Sequence, residues 1–161
     1  MAADFTIIQA VRHQFGDHAT PEGLDLNAPF VGSSAEVTFS CPFVDSTQLA
    51  LLQFESLGVE IGLGPANYGY DGKEAHRNII RINGVDIPGG ITAGPRARFG
   101  DDEYGIWKSH TLIVPSNLLN RGENSLYIEA VHFSPFSAID HFIIDNVVIT
   151  FKTHDNRDAS M

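Results

Sequence analysis

At 161 residues the chain is one domain's worth, long enough to bury roughly 70% of the surface its unfolded form exposes and to fold without a covalent staple. Twenty acids against ten bases give a net charge of −10, which repels phosphate backbones and anionic lipid and sets nucleic acid and membranes aside as partners. The single cysteine, Cys41, excludes an internal disulfide, and no apolar run approaches the roughly 18 residues of a membrane span.

The N-terminus, Met1 to Ile8, lacks a basic n-region and a long apolar h-region, so it does not read as a secretory signal. The expectation is a soluble chain that is cytoplasmic, exported by a non-classical route, or already trimmed. Residues 5–11 alternate well enough for a first strand, after which Gly16, Pro21, Gly23 and Pro29 predict a long loop. Residues 36–41 put Val37, Phe39 and Cys41 on one face and Glu36, Thr38 and Ser40 on the other, the pattern of a half-buried strand. Cys41 therefore reads as a buried small hydrophobe and not as a nucleophile. Residues 49–57 are too apolar at first for periodicity to decide, but Pro42 and Gly58 bound them closely enough to predict a strand.

Residues 58–77 hold Gly58, Gly62, Gly64, Pro65, Gly69 and Gly72 with Tyr68 and Tyr70 among them, which predicts a long loop. A strand resumes at 78–82, Asn83-Gly84 is a strong two-residue hairpin signal, and residues 85–87 return on the other side. Residues 88–105 read as a second long loop. Strands are expected at 107–114, at 125–133 with Leu126, Ile128 and Ala130 on one face, and at 141–151, the longest apolar run. Residues 116–119 read as a short helical turn or polar corner, and residues 153–161 as a polar tail outside a single domain spanning 1–152. Some eight short strands with turn signals between them, and no amphipathic helix of useful length, predict an all-β antiparallel sandwich.

Ile80-Arg81-Ile82-Asn83-Gly84-Val85, Trp107, His110 to Val114 and Leu118-Leu119-Asn120-Arg121-Gly122-Glu123-Asn124-Ser125-Leu126 together resemble the galactose-binding-like jelly rolls, in particular the sugar-binding domain of family 2 glycoside hydrolases. Phe142-Ile143-Ile144-Asp145-Asn146-Val147-Val148-Ile149 is similar to the last strand of carbohydrate-binding modules on the same sandwich. The likeness covers residues 78–151 and concerns corners and strands. Asn-Gly supplies positive φ, Gly122 permits a tight corner, and Asn124 bonds local backbone. The first half carries no matching motif, so its strand order stays open.

The resemblance implies a non-catalytic module that binds neutral carbohydrate through loops at one end. Tyr68, Tyr70, Tyr104 and Trp107 would stack on sugar rings, while Asp71, Arg96, Arg98, Asp101 and Asp102 would bond hydroxyls. The alternative for Trp107 is a core aromatic. A structural calcium at Asp145 is also implied, although Asn146 stands where a second acid would and no Asp-x-Asp-x-Asp loop is present, so a solvated or backbone-capping Asp145 is the competing reading. None of the seven histidines shows zinc spacing on one element. Isolated half-buried rings are the default, and a folded pair such as His132 with His141 would have to converge from different strands. Two other functions are carried forward: a structural sandwich that packs against copies of itself as a homo-oligomer, and a small cyclase or lyase using His132, Asp140 or His141 as acid and base.

Overall fold

A computed structural model of the chain describes residues 2–20, 27–59, 78–94, 96–99, 102–130, 132–133 and 138–154. These residues hold no helix and so none that could cross a membrane. Their strands are β1 (Ala2–Gln9), β2 (His13–Phe15), β3 (Phe30–Gly32), β4 (Ser34–Ser40), β5 (Ala50–Leu57), β6 (Ile79–Ile82), β7 (Val85–Asp86), β8 (Arg96–Phe99), β9 (Asp102–Gly105), β10 (Lys108–Val114), β11 (Glu123–Glu129), β12 (His132–Phe133), β13 (Ala138–Ile139) and β14 (Phe142–Thr153).

The larger sheet runs β10-β5-β14-β2-β3, and β1 pairs with the far half of the same β14 edge that β2 occupies. All its pairings are antiparallel except β2 with β3. The smaller sheet is antiparallel, in the order β4-β11-β6-β7. One core lies between them. Leu52, Phe54, Val114, Ile144, Val147, Ile149 and Phe151 come from the large sheet, and Phe39, Ile80, Ile82, Leu126 and Ile128 from the small one. Each of these large apolar side chains contributes about 1.5–3 kcal/mol on leaving water. The molecule is thus an all-β sandwich.

The alternation read at residues 36–41 holds, with Phe39 and Cys41 buried and Glu36, Thr38 and Ser40 exposed. The sequence predicts no strand between residues 11 and 36, yet two short ones lie there. His13–Phe15 and Phe30–Gly32 are strands, because Phe15 stacks on Phe142 at 5.3 Å, His13–Phe15 adds to the β14 edge and Phe30–Gly32 adds in turn to His13–Phe15. Residues 88–105 are likewise not all loop, for β8 and β9 form a hairpin whose charged sequence hid its alternation. Residues 116–119 form a turn and no helix, with Asn117 at φ 64°. The last strand runs on to Thr153, which is buried and faces Ala2 and Val44.

Two asparagines lock the small sheet's corners together. Asn83 (φ 50°) and Gly84 (φ 78°) make the positive-φ hairpin turn. The Asn83 amide nitrogen donates to the Leu118 carbonyl at 2.8 Å and to Asn124 Oδ1 at 2.9 Å, while Asn83 Oδ1 accepts from the Ser125 N–H at 2.9 Å. Asn124, itself buried, accepts from the Asn120 N–H and donates to the carbonyls of Asn120 and Gly122. Losing a buried amide with this many partners leaves several backbone groups unsatisfied, each costing about 1–3 kcal/mol. Asn124→Ala should therefore lower the unfolding free energy by about 2–3 kcal/mol in urea titrations. A loss below about 0.5 kcal/mol would place the strength of this corner elsewhere.

His110 stands in the core layer of β10, with its ring stacked on Phe54 at 4.4 Å and its Nε2 bonded to Ser56 Oγ at 2.7 Å. Burial, aided by the charge of Lys108, pushes its pKa down to about 4. Between pH 6.5 and 4 the unfolded chain takes up a proton here that the folded chain refuses, so this stability is complete above pH 6.5 and lost as pH falls toward 4. Chemical denaturation across that window should show a slope that His110→Gln flattens; equal slopes in the two proteins would remove His110 as the cause.

Candidate functional site

Register alone gathers four strand ends at one end of the large sheet. Phe142 lies opposite Phe15, Ile143 opposite Leu57, and Lys108 opposite Ser56, so β2 and β5 end where β14 and β10 begin. Both glycine-rich stretches join the sheet here, one leaving after Val59 and the other returning through Ile106 and Trp107 into β10. Gly94 packs close to this joint. A Cβ there would stand 3.0 Å from Lys108 Cβ, and Lys108 Nζ in turn bonds Thr92 Oγ1 and the Ala93 carbonyl.

Trp107 is half-buried on the outer face of the large sheet, and Arg12, from the β1–β2 connection, lays its guanidinium 5.1 Å from the ring centroid. The same Arg12 reaches Asp145 Oδ2 through Nε at 3.0 Å. It thus straps three strands together, from the buried acid on β14 across β5 to the aromatic beside β10. The ring is neither a core aromatic nor fully free. Trp107 is the chain's one tryptophan, so its fluorescence reports directly on this end of the molecule.

The surroundings of Asp145 do not suit calcium. One carboxylate oxygen takes the Arg12 guanidinium, and the other accepts from the Asn146 N–H at 2.8 Å. Glu55, the acid opposite on β5, accepts from Asn146 Nδ2 at 2.9 Å. Ca²⁺ takes six to eight oxygens, whereas here a side-chain cation already neutralises the buried acid.

Arg96, Arg98, Asp102 and Tyr104 are placed by their backbone on the β8–β9 hairpin, with Arg96 opposite Gly105, Tyr104 opposite Ala97 and Asp102 opposite Phe99. Tyr68, Tyr70, Asp71 and Asp101 lie outside the described residues. Two of the three residues proposed as acid and base are otherwise engaged: Asp140 is buried and accepts from Asn78 Nδ2 at 2.7 Å, while His141 turns to Asp17; His132 is placed by its backbone on β12. Cys41 is fully buried, and burial with the nearby Asp4 carboxylate pushes its thiol up to about 12, which keeps it un-ionised at neutral pH.

Asp17, His18 and His141 form a cluster that the spacing of the histidines does not suggest. Asp17 Oδ1 lies 2.5 Å from His18 Nδ1 and 2.6 Å from His141 Nε2, and the two rings sit 4.4 Å apart at 57°. Desolvation raises the Asp17 carboxyl pKa, but the hydrogen bonds from His141 and His18 outweigh it and hold the group below the ordinary carboxylate range. The histidines are 123 positions apart and meet only because β2 pairs with the start of β14. The one local signal was the glycine before Asp17: a Cβ at Gly16 would stand 2.1 Å from His141 Cδ2, so no larger residue admits the ring. Compared with known proteins, the chain matches no family model and no curated protein sequence.

Proposed function

We propose that this chain is a non-catalytic binding module of the galactose-binding-like kind, and that it takes neutral carbohydrate at the end of the sandwich where residues 58–77 and 89–104 join the large sheet. The observation that carries this reading is Trp107. It is a half-exposed aromatic ring held in place by a stacked guanidinium, at the gathered strand ends and beside a hairpin bearing Arg96, Arg98, Asp102 and Tyr104. Sugars are recognised by such a pairing of an aromatic face with planar polar groups, and a net charge of −10 favours an uncharged ligand over a phosphorylated one. An array of neutral glycans, followed by calorimetric titration of its hits, should show saturable binding that quenches or shifts Trp107 fluorescence in the wild type and that Trp107→Ala weakens at least tenfold in the calorimeter. Silence across the array, with and without calcium, would end this reading.

A second reading, self-assembly, has its own observation. On the outer face of the large sheet Phe5 faces Thr150, Thr150 faces Leu51, and Leu51 faces Ile113, with Ile7 one step along β1. Phe5, Ile7, Leu51 and Ile113 are 61%, 57%, 40% and 56% exposed, which makes a band of apolar surface across four strands. Its polar members, Thr150, Gln53 and Thr111, carry no charge, and the charged groups of this face flank the band, with Lys152 at one end and Glu55, Asp145 and Arg12 at the other. The outer face of the small sheet instead carries Glu36, Arg81, Asp86 and Glu129. For two copies of so acidic a chain, an uncharged apolar band is where contact costs least, so the occupant is a second copy. Light scattering on the eluting protein should give a dimer or larger that Ile113→Lys returns to monomer; a monomeric wild type at high concentration would sink the reading.

A further inference from the structure

We infer that Asp17, His18 and His141 form a binding site for a divalent transition-metal cation of the zinc class. This does not rest on either functional reading above. Three ligand atoms, His18 Nδ1, His141 Nε2 and a carboxylate oxygen of Asp17, lie within 4.8 Å of one another. Two imidazole nitrogens with one carboxylate oxygen are a donor set that suits zinc and its neighbours, whereas calcium and magnesium prefer oxygen alone.

The fold supplies the site in two pieces. Phe15 is stacked on Phe142 and paired with it across β2 and β14, which anchors the turn that begins at Gly16 against the residue preceding β14. Gly16 leaves open the volume that the His141 ring fills. His141 is thereby held half-buried between a core strand and the turn, while His18 stands on the solvent side with 69% of its side chain exposed. One ligand is rigid and one is free to adjust.

The geometry also says what must move. Tetrahedral zinc, with bonds near 2.0–2.1 Å, spaces its ligand atoms about 3.3 Å apart, so the nitrogen–oxygen separations of 2.5 and 2.6 Å must open by roughly 0.7 Å as the ion enters. The exposed His18 and Asp17 side chains can make that change without disturbing the core. The ion displaces the protons that bridge the nitrogens to the carboxylate, which pass to solvent, and takes their place as the trio's common partner. Three protein ligands fill three positions of a tetrahedron, and the fourth faces solvent and takes water. The negative charge of the chain draws the cation in.

Chelator-treated full-length protein titrated with Zn²⁺ in a calorimeter should bind one ion per chain. Co²⁺ in its place should give the strong visible absorption of a four-coordinate site. His18→Ala and His141→Ala should each weaken binding at least tenfold, while His154→Ala, at a histidine beside Asp45 and outside the trio, leaves it unchanged. No saturable Zn²⁺ binding by the wild type, a weak six-coordinate cobalt spectrum, or equal affinity in His18→Ala would overturn the assignment. Should His141→Ala fail to fold, His18→Ala carries the test, since that side chain is mostly in solvent and its loss leaves the core untouched.

Discussion

The register of β14 is the constraint on which the rest of this sandwich depends. The strand pairs along one edge with β5 and along the other with both β2 and β1, so it is the only element shared by every part of the large sheet except β10 and β3. Its apolar residues do not keep a single alternation. Ile144 and Val147, three apart, both face the core, and a strict period of two would turn one of them to solvent. A bulge at Asp145–Val147, with Asn146 in the left-handed region at φ 51°, absorbs the odd residue, and the pattern resumes through Ile149 and Phe151. Asparagine tolerates this conformation better than most residues, and its amide is anchored to Glu55 across the sheet.

The bulge also decides what happens on the outer face. It brings Asp145 to a place where the acid is buried, yet not within the apolar core, and where Arg12 can reach it from the chain that crosses between β1 and β2. A buried carboxylate with no partner would be costly, and the guanidinium, continuing on to Trp107, turns that cost into a strap across the sheet. The acid of the last strand and the aromatic before β10 belong to one arrangement through a residue neither motif contains.

Much of this was legible in the amino-acid sequence, for reasons particular to each segment. The alternation at 36–41 and 125–130 and the Asn-Gly turn express period-two burial and positive φ, which are local properties, and the run at 141–151 marks a strand by its apolar length and not by its alternation. The Asn83–Asn124 lock was half visible, since each residue announces a turn but only the fold shows the two amides bonded to each other. What stayed hidden was non-local. β2 and β3 are three residues each, too short to alternate; β2 exists because the β14 edge is there to pair with, and β3 because β2 offers it the next edge. The β8–β9 hairpin has charges where apolar residues would have marked it. Arg12 and the Asp17–His18–His141 trio carry no spacing signal, because their partners lie more than a hundred positions away.

The same edge of β14 that escapes a local reading is therefore where chemistry collects. Arg12 and Asp17 flank β2, three residues apart from it at most on either side, and each crosses to β14 or to the residue just before it: Arg12 to Asp145, Asp17 to His141. A short strand held by a Phe15–Phe142 stack thus carries a cation to one acid and an acid to one histidine, on the two flanks of a single pairing. Because both contacts depend on the same three-residue pairing, they are mechanically linked. Loosening β2 would release Trp107's strap and the histidine trio together.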